Sequence, residues 1–150
     1  MQFPFQRVFQ QAGDWYVLDE EFPWNIQKVR QDIISLIGDR ETPVLFCDTC
    51  DANSILLALG EEEEEFLYPL SGLYHPRKRL IFIFQWEQYE DLLKTLLHEF
   101  RHDMQFEEEA IRSLFEEERT LNYEERWIEM DARAFVKEVM GHYYENQKEA

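Results

Sequence analysis

Between Tyr89 and Met104 the residues Tyr89, Leu92, Leu93, Leu96, Leu97, Phe100 and Met104 recur at i, i+3, i+4 spacing. This stripe constrains the fold more than any other stretch, because it predicts a helix with one face buried against another element. Leu93, Leu96 and Phe100 centre the apolar arc, while His98 and His102 point roughly opposite, with Asp91 and Thr95. The segment Leu96-Leu97-His98-Glu99-Phe100-Arg101-His102 reads H-E-x-x-H inside that helix. Spacing i, i+4 sets two imidazoles one turn apart on one face, where both reach a single tetrahedral Zn²⁺. Glu99, one residue past His98, points about a quarter-turn away, beside such a metal rather than on it.

The rest of the chain mixes strands and helices. Phe3–Phe9 and Trp15–Leu18, separated by Ala12-Gly13-Asp14, predict a strand pair or a strand plus an irregular segment. From Pro23 to Ile37 the residues Trp24, Ile26, Val29, Ile33, Ile34 and Ile37 keep helical period, and Gly38 is a plausible stop. Pro43–Cys47 reads as a buried strand and Asp51–Leu59 as a short helix. Phe66–Leu70 and Gly72–Tyr74 read as extended, His75–Arg79 as a turn, and Leu80–Phe84 as the strongest strand. An acidic, partly helical connector follows from about Glu107 to Asn122, then a last helix from about Tyr123 to Tyr143. This order predicts an α+β domain: a twisted, mostly antiparallel or mixed sheet packed against the H-E-x-x-H helix and a C-terminal helix.

Length and charge limit the functions to consider. The 150 residues are one domain's worth, and an apolar content of 45% is enough for a core. Fifteen basic against 32 acidic residues give a formal charge of −17. That field repels nucleic-acid phosphates and anionic membranes, and suits partners with a basic face. No signal-peptide pattern and no run long enough to span a membrane is evident, so a cytoplasmic location is expected. Cys47-Asp-Thr-Cys50 is a lone C-x-x-C without a second Cys/His pair, and reads as two incidental cysteines.

A zinc site needs a third protein ligand. On a wheel of the last helix, Ile128, Ala132, Phe135, Val136, Val139 and Met140 form the buried arc. Glu129 lies at its edge and Glu125 within its angular range; a carboxylate there is costly unless paired or metal-bound. Ala132, one turn from Glu129, allows close approach to the H-E-x-x-H helix.

His98-Glu99-Phe-Arg-His102 followed by Glu129-x-Asp131-Ala132-x-x-Phe135 resembles the small gluzincin-type metallopeptidases, among them the ImmA/IrrE-like proteins of bacteria and their phages. The resemblance covers about Gly72 to Val139. It implies a single small zincin-like domain over residues 1–150, with Zn²⁺ held by His98, His102 and Glu129 and with Glu99 as general base. It also implies a protein or peptide substrate aligned by an edge strand before the active helix, for which Leu80–Phe84 is the corresponding segment. One departure is Arg133, where the group often has Asp. Glu125 stands as the alternative third ligand, and Tyr123, Tyr143, His142 and Arg133 as candidate oxyanion donors. The competing expectation is a non-enzymatic acidic interaction protein, a nucleic-acid mimic or inhibitor, with zinc structural or absent. A further expectation is a cleft closed by the connector, Glu107–Asn122.

Overall fold

The structure is a computed structural model that describes residues 7–67 and 69–149. Residues 3–6 of the Phe3–Phe9 run therefore lie outside the described residues, as does Tyr68 in the segment 66–70. Five strands form one mixed sheet: β1 (Gln10–Ala12), β2 (Trp15–Val17), β3 (Val44–Phe46), β4 (Gly72–His75) and β5 (Leu80–Ile83), in the order β1-β2-β3-β5-β4. β1 runs antiparallel to β2, β2 and β5 flank β3 in parallel, and β4 runs antiparallel to β5. With α1 (Ile26–Ile37), α2 (Thr49–Ala58), α3 (Tyr89–Glu107) and α6 (Trp127–Glu149), the fold is α+β.

Helices cover both faces of the sheet, and the strands alternate accordingly. Val44, Phe46, Ile81 and Ile83 point into a core shared with Val29 and Ile33 of α1 and with Leu92, Leu93, Leu96, Leu97 and Phe100 of α3. Leu45, Cys47, Leu80 and Phe82 point the other way, onto Ala52, Ile55 and Leu56 of α2. The five apolar side chains of α3 are at most 1% exposed. At about 1.5–3 kcal/mol for each large side chain so buried, this face holds the helix against the sheet.

This two-sided burial corrects one expectation. Leu80–Phe84 is not an edge: β5 lies inside the sheet between β3 and β4, and all four of its residues are buried. A run that is apolar on both faces belongs to a covered interior strand. The edge strands are β1 and β4, and β4, Gly72–His75, is the one that packs alongside α3. Gly72 permits that approach, since a Cβ there would stand 2.8 Å from Thr95 Cγ2 and 3.3 Å from Glu99 Cγ.

Several boundaries follow from caps that periodicity does not reveal. Asn25 Oδ1 accepts from the Lys28 N–H at 3.2 Å, so α1 begins at Ile26 rather than Pro23. Gly38 ends it at φ 85°, in the left-handed region. Asp48 accepts from the Asp51 N–H at 2.7 Å and starts α2 inside the C-x-x-C segment. Burial, with Asp51 and Asp48 nearby, pushes the Cys47 thiol far up, which suppresses thiolate chemistry there.

The connector between α3 and α6 folds into two single-turn helices, α4 (Glu109–Arg112) and α5 (Leu114–Glu117), then a 3-10 turn at Glu118–Thr120. The last helix is later and longer than expected. Tyr123–Glu125 form a separate 3-10 turn, Arg126 is extended, and α6 runs from Trp127 through Gly141 to Glu149. The Glu118 carboxylate accepts from the Trp127 N–H at 2.8 Å and from the Ile128 N–H at 3.1 Å. A side chain from the connector thus caps α6 and satisfies its first free donors. Glu129 consequently sits in the first turn of α6, while Glu125 falls outside the helix.

Candidate metal centre

Helices α3 and α6 pack antiparallel: Glu129 meets His98 and His102 near one end, and Tyr144 reaches Glu90 at the other. At the crossing, Glu129 Oε1 lies 2.8 Å from His98 Nε2 and 3.1 Å from His102 Nε2. The imidazoles stand nearly perpendicular, with centroids 4.8 Å apart. One ligand atom from each of His98, His102 and Glu129 lies within 4.8 Å of the others, the one such cluster of metal-binding side chains among the described residues. Two imidazole nitrogens and one carboxylate oxygen are a donor set suited to Zn²⁺ with one position left open. Glu125 is not part of it. Its carboxylate is exposed and accepts from Asn122 Nδ2 at 3.3 Å.

The histidine face of α3 is covered toward its C-terminal end, where His102 and Glu99 are each 5% exposed, while His98 and Thr95 are half-buried and Asp91 is exposed. α6 covers it from one side. From the connector, the Phe115 ring lies 6.0 Å from His102 and 6.1 Å from Tyr74. The periodicity of α3 shows one apolar arc, but around His102 its polar arc is buried too, against elements distant in sequence.

Surrounding groups fix the orientation of His102. Gln105 Nε2 donates to the Ile128 carbonyl at 2.9 Å and to Asp131 Oδ2 at 2.7 Å. Both amide hydrogens are thereby committed, so Gln105 Oε1 faces His102 Nδ1 at 2.9 Å and accepts its proton. Nε2 is left as the nitrogen presented to Glu129 and to any shared ion. Asp131 is held in turn by Arg101 Nε at 2.8 Å, and the Arg101 guanidinium lies over the Phe135 ring.

The clustered side chains set one another's charge. Burial opposes charge on Glu129, but hydrogen bonds from His102 and His98 hold its carboxyl well below the usual range. Burial likewise disfavours charge on His102, yet Glu129, Glu99 and Gln105 outweigh it and raise the imidazole to about 9. Protons on this pair and a divalent ion would therefore compete for the same lone pairs. Burial raises the Glu99 carboxyl above its ordinary range; His102 and His98 oppose the rise and Glu129 adds to it.

Next to the cluster opens a cleft of about 640 Å³, whose wall includes Gly72, His98, Glu99, Tyr123 and Arg133. The Tyr123 hydroxyl lies 3.4 Å from His98 Nε2. Partial desolvation and the nearby Glu129 push the phenol well above its usual range, so it keeps its proton. Of the four candidate oxyanion donors, Tyr123 and Arg133 line this cleft, whereas His142 is exposed near the far end of α6 and Tyr143 packs against the main core.

Just beyond His102, Asp103 is fully buried and anchors this end of α3. It accepts from Tyr74 Oη at 2.7 Å, Arg79 Nε at 2.9 Å, an Arg40 nitrogen at 3.0 Å and the Thr42 hydroxyl. The edge strand, the β4–β5 turn and the segment before β3 are so tied to one carboxylate. Sequence reasoning missed Asp103, Gln105, Phe115 and Glu118. Only Gln105 carried a local signal, one turn after His102 on the same face.

Fold and site together define an α+β protein whose two antiparallel helices bring two histidines and a glutamate to one point beside a cleft. The chain belongs to the family described as "Protein of unknown function (DUF3920)", which matches residues 17–147. No match was found among curated proteins, and none among solved structures. No helix among the described residues is long and apolar enough to cross a membrane.

Proposed function

We propose that the protein is a zinc-dependent metallopeptidase of the small gluzincin type, in which His98, His102 and Glu129 hold the metal and Glu99 is the general base. The observation that carries this reading is the convergence of those three ligand atoms within 4.8 Å, with Glu99 lining the adjoining cleft. Zinc at such a site supplies Lewis acidity and acidifies the water it carries. The Glu99 carboxylate accepts the proton of the attacking water and returns it to the departing amine. Across the hydrolysis, the water oxygen goes to the carbonyl carbon and the proton to nitrogen as the C–N bond breaks. Tyr123, holding its proton at the cleft wall, donates a hydrogen bond toward the developing oxyanion. The outer edge of β4 offers unpaired backbone groups to an extended peptide, the role first expected of Leu80–Phe84.

The test is a Glu99→Gln variant incubated, beside the wild type, with a proteome-derived peptide mixture read by mass spectrometry. The wild type is expected to generate new termini, and the variant to keep zinc and fold but lose cleavage. Equal product formation by both would refute the role of Glu99.

The charge of −17 favours a second reading, an acidic interaction protein in which the His98–Glu129–His102 contact merely ties two helices. That reading predicts that Glu99→Gln leaves the biological effect intact.

A further inference from the structure

The chain has 17 more acidic than basic residues, so its cations should find partners easily. Most arginines do: Arg30 pairs with Asp39, Arg40 and Arg79 with Asp103, Arg101 with Asp131, and Arg119 with Glu116. Lys94 and Arg133 make no ion pair or side-chain hydrogen bond among the described residues, yet both line the cleft beside the metal centre. Their placement follows from the helices. Lys94 precedes His98 by four residues on α3, and Arg133 follows Glu129 by four on α6. Because the helices are antiparallel, one turn back on α3 and one turn on along α6 lead the same way. Each cation therefore stands about one helical turn, ~5.4 Å along its axis, from a ligand of the cluster.

We infer that Lys94 and Arg133 form a carboxylate-binding subsite one helical turn from the metal centre, and that the cleft takes peptides bearing a carboxylate close to the scissile bond. The inference rests on the peptidase reading and adds the substrate class. An Arg fork from α6 and a Lys ammonium from α3, both lining the cleft, suit a planar, singly charged group. Glu124 also lines the cleft, next to Tyr123 and away from the two helix cations in sequence. Glu99 lines the cleft as well, and Asp91, three residues before Lys94 on α3, lines the neighbouring groove with it. The subsite therefore suits one carboxylate on an otherwise neutral or basic chain, since further negative charges would meet Asp91, Glu99 and Glu124. That carboxylate is either an acidic side chain or the substrate's own C-terminus.

Binding rather than turnover tests this. Three dye-labelled alanine-based heptapeptides differ only in charge: an internal Glu with an amidated C-terminus, an internal Gln with a free C-terminus, and an internal Gln with an amidated C-terminus. Each is titrated by fluorescence anisotropy into full-length Glu99→Gln protein, alone and with Lys94→Gln, Arg133→Gln or both. At least one carboxylate-bearing peptide is expected to bind about tenfold more tightly than the neutral one, as a charge-assisted contact implies. Each single variant should reduce that preference and the double variant abolish it, with unfolding midpoints unchanged. Preference for the internal Glu identifies a side-chain subsite; preference for the free C-terminus identifies a carboxypeptidase-like one. Absence of any preference for a carboxylate, or a preference that survives in the double variant, overturns the inference. Zinc content of the same preparations reads the metal centre separately. Preference without zinc removes the peptidase reading but leaves the subsite; zinc without preference does the reverse.

Discussion

Replacing Glu118 with Ala tests whether the connector builds the site. Glu118 is buried and spends its two carboxylate oxygens on the first two N–H groups of α6, at 2.8 Å from Trp127 and 3.1 Å from Ile128. Loss of a capping side chain costs about 0.5–2 kcal/mol, and loss of a negative charge at a helix N-terminus about 0.3–1 kcal/mol. Relief of a desolvated carboxylate offsets part of this, so Glu118→Ala is expected to destabilise by about 2 kcal/mol. In urea that moves the unfolding midpoint by about 1 M. Glu118→Gln retains one acceptor oxygen without charge and should lose about half as much. Glu129 lies two residues past Trp127, so a loosened first turn also misplaces the third ligand of the proposed zinc site. Zinc affinity measured by competition with a chelating dye should fall about tenfold, as for other groups that orient metal ligands. If Glu118→Ala unfolds within about 0.5 kcal/mol of the wild type, less than a lost cap costs, the carboxylate does not hold α6 by capping it.

Asp103→Ala should cost about 1–3 kcal/mol in urea unfolding, because it leaves the buried Tyr74 and Thr42 hydroxyls without their acceptor while Arg40 and Arg79 keep Glu107; a loss below about 0.5 kcal/mol would show that water replaces the carboxylate freely. Gly72→Ala forces a Cβ against Thr95 Cγ2 and toward Glu99, and should destabilise by about 1–3 kcal/mol; Thr95→Ser, which removes that methyl group, is expected to recover part of the loss, and strict additivity in the double variant would exclude the contact. Burial lowers the His75 imidazole below its ordinary value of 6.5, although Glu61 and Glu64 act to raise it. The unfolded chain then binds the proton first, so this stabilising contribution is complete above pH 6.5 and shrinks as pH falls below it. Unfolding free energies at pH 7.5 and 5.5 should therefore differ more for the wild type than for His75→Asn, and equal differences would contradict the assignment.

The legible parts of the sequence were those in which a local period and burial coincide. The stripe from Tyr89 to Met104 gave α3, the run around Leu80 gave β5, and Gly38 marked the end of α1. H-E-x-x-H with Glu129-x-Asp131-Ala132 pointed to the three side chains that the structure brings together. What the sequence did not show depends on contacts across distance. Leu80–Phe84 was apolar on both faces, which already argues for an interior strand, but its place in the sheet is set by pairing with β3 and β4. Glu125 and Glu129 are equivalent in spacing; the break at Arg126 and the Glu118 cap separate them, and neither follows from helical period. The connector reads as an acidic, partly helical stretch, and its sequence does not show that Phe115 packs on His102 or that Glu118 starts α6.

Metal analysis of the purified chain by inductively coupled plasma mass spectrometry, without added zinc, tests whether His98, His102 and Glu129 hold an ion. About one zinc per chain is expected, retained by Glu125→Ala and lost by folded His98→Ala and Glu129→Ala variants. A folded wild-type protein that carries no zinc and takes up none when it is offered would contradict this ligand set, as would a Glu129→Ala variant that keeps the ion.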